Sequence, residues 1–205
     1  MLRRTLLRPF LGAGLAALLA AAHGEPLPGK PAPEFALTDV GGRKVQLADF
    51  RGRFVVLEWN NPSCPFVQKH YNSGNMQSLQ KRYTASNVAW LTINSTAMSH
   101  PEFVKAADLD AWMKARGGTP TELMLDPDGK VGRAYDARAT PQMVVIDPKG
   151  TLIYSGAIDD RRSTDPADVK TATNYVAAAL DAAMAGRPVG VAHTQAYGCS
   201  IKYSG

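Results

Sequence analysis

A cysteine that lies between an apolar segment and a proline constrains the fold of this chain more than any other feature. Apart from Glu58, residues 54–59 are apolar and β-prone, which predicts a strand buried on both faces. Pro65 follows Cys64 directly, and proline is favoured at the first helical position because its missing N–H needs no partner there. The sequence therefore predicts a strand, a short loop and a helix that begins at Pro65, with Cys64 at or beside its N-cap.

This placement suits Cys64 to nucleophilic chemistry. Free backbone N–H groups and the positive end of the helix dipole would face its sulfur and favour the thiolate, which is the nucleophilic form of cysteine. No acidic residue lies between Glu58 and Glu102, whereas Lys69 and other basic residues do. The alternative is a buried cysteine that acts only as a small hydrophobic residue.

Two polar residues precede Cys64 at informative spacings. Glu58 lies six residues before it, inside the apolar strand, where desolvation would suit a carboxylate to general-base work near neutral pH. The alternative for Glu58 is a glutamate at a sheet edge or in a salt bridge. Asn61 lies three residues before Cys64 and could hydrogen-bond to a reacting group through its side-chain amide.

The N-terminus has the order of a secretory signal peptide. Arginines precede an uncharged run over residues 9–22, and small residues follow at 22–24. The run is too short to span a bilayer. We therefore expect residues 1–24 to be a signal peptide and the mature protein to be periplasmic or secreted. A core helix, a retained anchor and export by the twin-arginine route stay open as alternatives.

Removal of a signal peptide changes what the net charge of the chain implies about its partners. Removing Arg3, Arg4 and Arg8 lowers the formal charge of the chain from +5 to +2. Without a basic run there is no argument left for nucleic acid, so we expect no nucleic-acid partner and no stable membrane association after signal cleavage. In an oxidising compartment the two cysteines are able to pair.

Strand-like and helix-like segments alternate along the rest of the chain, which predicts an α/β domain with a mixed sheet. No repeat or linker divides it, so we expect a single domain over residues 25–205, with residues 187–205 as an irregular C-terminal tail. The expected elements are a hairpin at 34–38 and 44–47, strands at 88–93, 143–146 and 152–154, and helices at 65–82, 102–116 and 167–185, the first with a weak point at 73–74.

Three blocks of sequence carry a resemblance to a known family. They are PAPEFALTDVGGRKVQLADFRGRFVVLEW at 31–59, NNPSCPFVQKHY at 60–71 and DPDGKVGRAYDARATPQMVVIDPKGTLIYSG at 126–156. Together they resemble the thioredoxin-like superfamily on its peroxiredoxin side, the alkyl hydroperoxide reductase and thiol-specific antioxidant group. The resemblance implies a thioredoxin-like fold: a central mixed β-sheet flanked by helices, with an N-terminal β-hairpin extension and an irregular C-terminal tail.

The resemblance also implies residues that surround the cysteine. Thr140 and Pro141 stand where thioredoxin-like proteins have a cis-proline beside the active cysteine, and the backbone before it would present an edge to a bound thiol substrate. Arg161 and Arg162 follow the last strand, roughly where peroxiredoxins keep an arginine that could stabilise charge on a peroxide oxygen. The alternative for both arginines is solvated surface charge.

The sequence departs from the family patterns around Cys64. Val67 and Gln68 stand where thioredoxins and copper chaperones of this fold have a second cysteine, so a local dithiol and a copper site of that kind are not expected. Leu57 and Asn61 replace the proline and the threonine or serine of typical peroxiredoxins. Neither a metal nor an organic cofactor is implied.

Cys199 is the only other cysteine, and three interpretations of it stay open. It is the resolving thiol that traps an oxidised Cys64 as a disulfide, or the partner in a permanent structural disulfide, or a solitary thiol. We therefore predict an exported thiol oxidoreductase that reduces a peroxide or exchanges with a protein disulfide, with an external dithiol reductant as partner. The alternative is a non-catalytic binding or scaffold protein with a structural Cys64–Cys199 disulfide.

Overall fold

A computed structural model describes residues 27–204 of the chain. The predicted signal peptide at 1–24 lies outside these residues. The strands are β1 (Ala36–Asp39), β2 (Lys44–Gln46), β3 (Val55–Trp59), β4 (Ala89–Asn94), β5 (Glu122–Leu125), β6 (Ala139–Thr140), β7 (Gln142–Ile146), β8 (Leu152–Gly156) and β9 (Cys199–Ser200). The helices are α1 (Pro65–Asn72), α2 (Asn75–Thr84), α3 (Ala106–Ala115), α4 (Lys130–Ala134) and α5 (Tyr175–Met184), with 3₁₀ turns at Leu47–Phe50 and Pro166–Lys170.

Seven strands form one mixed sheet in the order β2-β1-β5-β4-β3-β7-β8. Strands β3, β4 and β5 run parallel, while β7 pairs antiparallel with both β3 and β8. The predicted hairpin is confirmed as β1 and β2, which join the sheet through β5. This is the mixed α/β sheet that the sequence predicted.

Strand β3 lies inside the sheet, between β4 and β7, and is buried on both faces, as predicted. Val56 belongs to an apolar cluster on one side of the sheet, and Leu57 and Trp59 belong to a second cluster on the other side. A strand between two apolar layers is held without freedom to shift, because a slip of one residue would exchange its faces. It therefore delivers the following loop to a fixed position.

The predicted weak point in the first helix is confirmed. Helix α1 ends at Asn72 and α2 begins at Asn75, because Gly74 adopts a left-handed conformation with φ of 74°. Glycine adopts such a conformation without steric cost. Helix α1 is therefore a short, separate element that begins directly after Cys64.

The predicted long helix over 167–185 is wrong. The segment divides into the 3₁₀ turn Pro166–Lys170 and helix α5. Asn174 caps α5 by accepting a hydrogen bond from Ala177 N. The Tyr175 N–H donates to Ile158 O at 3.0 Å and so joins this boundary to the chain after β8. The local cap and this tertiary bond together override the helical periodicity of the sequence.

Residues 187–204, which we call the C-terminal tail, fold back over the domain. The tail adds a second, two-stranded sheet in which β9 pairs antiparallel with β6, just before β7. None of the helices within residues 27–204 is long and apolar enough to cross a membrane.

Candidate active site

Cys64 occupies the N-cap of helix α1, as predicted. Its backbone is extended, Pro65 takes the first helical position, and Gln68 N donates the first helical hydrogen bond to Cys64 O at 2.9 Å. The first turn of α1 contains no acidic residue. Only 1% of Cys64 is exposed, so its sulfur lies within the core rather than on the surface.

The cis-proline segment lies against this sulfur. Cys64 Sγ donates a hydrogen bond to Thr140 O at 3.1 Å. The Thr140–Pro141 peptide bond is cis, as the resemblance implied. Cys64, Thr140 and Pro141 therefore form one site, although they are far apart in the sequence.

Cys199 completes the site from the tail. It pairs with Thr140 across the β6–β9 ladder, while Cys64 Sγ donates to Thr140 O, so the two free cysteines lie beside the same residue. Burial raises the pKa of Cys199 to about 12, and the hydrogen bond and charge of Cys64 act in the same direction. The structure thus brings together the only two cysteines of the chain.

The backbone edge at Thr140 is not open, which changes the expectation drawn from the sequence. Ala139 pairs with Ser200 and Thr140 with Cys199. Gly198 approaches this edge so closely that a Cβ atom at that position would lie 1.9 Å from Thr140 O. In this structure the edge that was expected to receive a substrate is occupied by the protein's own tail.

Glu58 is fully buried but its surroundings are polar, unlike the apolar setting that the sequence predicted. Its carboxylate accepts five hydrogen bonds of 2.8–3.3 Å, from the side chains of Asn60, Tyr71, Gln80, Trp90 and Thr92. Such bonds offset the cost of burying a carboxylate. Within residues 27–204 no hydrogen bond joins Glu58 to Cys64, so any effect on the thiol is indirect.

Asn61 uses its side-chain amide to hold the loop before Cys64. Its Oδ1 accepts from Ser63 N at 2.9 Å, and its Nδ2 donates to Glu102 Oε2 at 2.9 Å. Glu102 is a site residue that the sequence analysis did not identify, and its negative charge contributes to the raised pKa of Cys199. No local pattern marks it, because it arrives from a loop 41 residues after Asn61.

Neither predicted arginine places its guanidinium at the thiol. Both side chains are exposed, and Arg161 Nε lies 3.7 Å from Asp160 Oδ1. Arg161 instead contributes its backbone, because its carbonyl accepts from Lys69 Nζ at 2.7 Å. A substrate contact by Arg161 or Arg162 stays a prediction.

A buried charged cluster, which the sequence analysis also missed, lies behind Cys64. Lys69 Nζ is 3.6 Å and His70 Nε2 is 3.9 Å from Asp159 Oδ2, and all three side chains are at most 1% exposed. Burial lowers the pKa of His70 to about 4; Lys69 acts in the same direction and Asp159 opposes it. Tyr197, two residues before Cys199, donates its hydroxyl to Asp159 Oδ1. The cluster thus connects helix α1 to the tail.

The end of the tail is anchored separately. Tyr203 donates its hydroxyl to Ala137 O at 2.7 Å, and its ring lies against Gly132, where a Cβ atom would be 2.2 Å from the hydroxyl oxygen. Gly132 N donates to Asp126 Oδ2, which also accepts from Ser95 Oγ. Ser95 Oγ in turn accepts from Trp59 Nε1 at 3.1 Å. A continuous hydrogen-bond path therefore leads from strand β3 to Gly132, the residue against which the Tyr203 ring lies. We call this contact surface at Gly132 the seat of Tyr203.

No group of three or more potential metal-ligating side chains occurs within residues 27–204. The chemistry available at the site is that of two adjacent thiols at a helix N-terminus.

Comparisons with known proteins agree with this architecture. The chain is 31% identical over 125 residues to the thiol-disulfide oxidoreductase ResA of Bacillus thuringiensis subsp. konkukian, a match that spans 61% of this chain and 66% of that relative. An uncharacterized conserved protein from Geobacillus kaustophilus has a similar structure, with a TM-score of 0.75 and 29% identity over 87% of this chain and 93% of that one.

The thioredoxin domain of a thiol-disulfide oxidoreductase from Bacteroides vulgatus shares the fold at a TM-score of 0.51 and 18% identity, over 70% of this chain and 95% of that domain. The fold is therefore thioredoxin-like, as the sequence resemblance implied. The model of the AhpC/TSA family matches residues 28–155, more than half of the chain and including Cys64 and Pro141, so the protein belongs to the AhpC/TSA family.

Proposed function

We propose that the protein is an exported thiol oxidoreductase whose redox centre is the pair Cys64 and Cys199. The observation that carries this proposal is that both cysteines lie at Thr140, beside the N-terminus of α1: Cys64 Sγ donates to Thr140 O, and Cys199 pairs with Thr140 across the ladder. A cysteine at this position is favoured as the attacking thiolate. Cys199, whose pKa is raised to about 12, is the weaker nucleophile at neutral pH and acts second.

In exchange with a disulfide, the Cys64 thiolate attacks one sulfur of the substrate. A new S–S bond forms, the substrate S–S bond breaks, and the departing thiolate takes a proton. Cys199, losing its proton, then attacks the Cys64 sulfur and expels the second substrate thiol, which leaves a Cys64–Cys199 disulfide. An external dithiol reduces this disulfide. The similarity to a protein named as a thiol-disulfide oxidoreductase supports this route.

A hydroperoxide is the second candidate oxidant, because Cys64 is buried and a small molecule needs less room to reach it. The Cys64 thiolate would attack the terminal oxygen, break the O–O bond and release an alcohol, or water from hydrogen peroxide. Cys199 would then attack the resulting sulfenic acid, forming the same disulfide and releasing water. Both routes converge on one oxidised state.

Glu58 and Asn61 support the centre as positioning residues in this proposal. Glu58 ties β3 to α1 through Tyr71 and to β4 through Trp90. Asn61 fixes the loop and holds Glu102 beside Cys199. Neither residue hydrogen-bonds to Cys64 through its side chain within residues 27–204.

Thiol titration tests the proposed function directly. The folded, reduced protein is treated with one equivalent of hydroxyethyl disulfide or hydrogen peroxide, and free thiols and disulfide-linked peptides are then measured. We expect two thiols to disappear together, a Cys64–Cys199 peptide to form, and a dithiol to restore both. Cys64→Ser should abolish turnover, and Cys199→Ser should stop the reaction after its first step. A disulfide that resists reduction until the chain unfolds would support the scaffold alternative instead.

Export is tested independently of the chemistry. We propose that residues 1–24 are removed and that the mature chain is periplasmic or secreted. N-terminal sequencing of the mature protein after cell fractionation should begin at Glu25. A full-length N-terminus in the cytoplasmic fraction would contradict this proposal.

A further inference from the structure

The β6 edge at Ala139–Thr140, beside Cys64, is the place where an extended polypeptide could pair with the protein. A strand edge with unpaired N–H and C=O groups binds extended peptides by adding them as a further strand. Here the tail supplies that strand, and it does so with a cysteine opposite Thr140. The tail therefore takes the place that a cysteine-containing polypeptide would take during disulfide exchange.

On the basis of the proposed function, we infer that the docked tail competes with polypeptide substrates for this edge. While the tail is docked, Cys64 reacts with small oxidants, and a polypeptide disulfide gains access only after β9 leaves β6. The substrate class is thus set by the position of the tail. Small disulfides and hydroperoxides are substrates of the closed protein, and cysteine-containing polypeptides are substrates of the open one.

The approach to Cys64 is consistent with this division. Its neighbours Ser63 and Pro65 are exposed, so a small displacement at the start of α1 is enough to admit a small molecule. A polypeptide needs backbone pairing as well as access to the sulfur. Because β9 occupies both Ala139 and Thr140, that pairing is available only when the tail withdraws.

The pairing itself is short and depends on its flanking anchors. Strands β6 and β9 contain two residues each. Before β9, Tyr197 is anchored by its hydrogen bond to the buried Asp159, and after β9, Tyr203 is anchored by Ala137 O and by the seat at Gly132. A tyrosine hydroxyl therefore anchors the tail on either side of the two-residue ladder, and after β9 the backbone bonds from Ile201 N to Arg138 O and from Ala97 N to Lys202 O add to this attachment.

The tail has room to move next to the first anchor. Residues 193–196 line a cavity of about 460 Å³ together with residues of the loop that carries Arg138. Residues that border open space lose fewer contacts on displacement than residues of a packed core. Thr194 stays bonded to Tyr154 and Ala157, so the cavity gives room to the chain that follows Thr194 once the Tyr197 hydroxyl is released.

Two probes with the same leaving group, one small and one an extended peptide, distinguish the closed and open proteins. The first is the mixed disulfide of mercaptoethanol with thionitrobenzoate, and the second is the mixed disulfide of a ten-residue extended cysteine peptide with the same leaving group. Cys64 attacks the substrate sulfur, the new S–S bond forms, and thionitrobenzoate leaves as a coloured anion. All proteins carry Cys199→Ser, so that each reaction stops at the mixed disulfide on Cys64.

The tail-anchored protein should react with the small probe much faster than with the peptide. Tyr197→Phe removes a hydrogen bond to a charged group, and such a bond contributes roughly 1.5–3 kcal/mol. The open population, and with it the peptide rate, should rise roughly tenfold to a hundredfold. The small-probe rate should change less than about threefold, since it does not require the open state. Adding Tyr203→Phe should raise the peptide rate further.

Tyr83→Phe is the matched control, because the Tyr83 hydroxyl also donates to a carboxylate, Asp181 Oδ1 at 2.9 Å, and neither residue belongs to the tail. It should leave both rates unchanged. Gly198→Ala gives a second test that does not depend on a hydroxyl, since its Cβ would push β9 away from Thr140 O, and it should also raise the peptide rate selectively.

Each outcome separates the two proposals. Equal reactivity of both probes in the tail-anchored protein, or no selective gain in the Tyr197→Phe and Gly198→Ala variants, overturns the competition by the tail and leaves the redox function intact. If Cys64 reacts with neither probe in any variant, the proposed function fails, and the inference about the tail fails with it.

Discussion

The two cysteines lie side by side, but the regions that support them differ in kind. Cys64 follows a central strand buried on both faces and caps a helix, so two packed elements hold it. Cys199 belongs to a two-residue strand within an irregular tail. The difference shows how one site combines a fixed nucleophile with a partner thiol that is able to move. A resolving thiol must reach the first sulfur and also withdraw from it, whereas an attacking thiol must stay in place.

The first prediction tests whether the elements that surround each cysteine, rather than its solvent exposure, determine how fast its thiol reacts. A thiol with a pKa of about 12 is ionised in only about one molecule in 10⁵ at pH 7. Cys64 should therefore be alkylated by iodoacetamide at least about 100-fold faster than Cys199, even though Cys199 is the more exposed residue. Peptide mapping by mass spectrometry after timed alkylation of the reduced protein gives both rates. Faster modification of Cys199 would show that exposure dominates and would reverse the proposed roles.

The second prediction removes hydrogen bonds from the packed region that holds Cys64. Glu58→Gln keeps the size of the side chain but places an amide donor among five donors, so several hydrogen bonds to a charged acceptor are lost. We expect the free energy of unfolding to fall by about 3–5 kcal/mol, measured by urea denaturation. Glu122→Gln is the control, since Glu122 pairs with an exposed arginine at the surface and should cost less than about 1 kcal/mol. Equal losses in both variants would contradict the structural role of Glu58.

The third prediction concerns pH and the charged cluster behind Cys64. Burial lowers the pKa of His70 from 6.5 to about 4, so below pH 6.5 the unfolded chain binds a proton that the folded chain does not. This part of the stability is fully present above pH 6.5 and is lost as the pH falls towards 4. The loss amounts to about 3 kcal/mol.

Chemical denaturation between pH 7 and pH 4 measures this loss. In His70→Gln the pH dependence should be smaller by that amount. His193→Gln, which changes an exposed histidine, should retain the pH dependence of the parent. An unchanged slope in His70→Gln would show that His70 does not titrate in this way.

The fourth prediction concerns the charges around Cys199 in the tail and has the smallest expected effect. Glu102 raises and Lys202 lowers the pKa of Cys199 through their charges. Glu102→Gln should therefore lower that pKa and Lys202→Gln should raise it, each by less than about one unit because solvent screens partly exposed charges. The pH dependence of Cys199 alkylation measures both shifts. Shifts in the same direction would mean that the two variants act through the packing of the tail rather than through charge.

The sequence predicted the fixed half of the site because its signals are local. The apolar segment of β3 and Pro65 lie close to Cys64, and short-range physics is sufficient to place them. Glu102, Asp159 and Tyr197 could not be predicted in the same way. They come from distant loops and from the tail, and no periodicity marks a residue that reaches the site through tertiary contacts alone.

The same distinction explains the two structural differences. The helix predicted over 167–185 is interrupted because Tyr175 N bonds to Ile158 O, a contact that no local pattern encodes. The edge at Thr140 was expected to be open because a two-residue strand such as β9 is too short to show the alternation by which strands are predicted. Tertiary partners, which are absent from local sequence, determined both outcomes.

The hydrogen-bond path between Trp59 and the seat of Tyr203 gives the molecule an optical property. The indole N–H of Trp59 is bonded to Ser95, and its ring lies 5.6 Å from that of Tyr135 in a fully buried environment. If the tail is released as inferred above, we expect the loss of Tyr203 from Gly132 to change the bonds along this path and the polarity around the indole. The emission of Trp59, measured against that of Trp90 and Trp112, would then report whether the tail is docked.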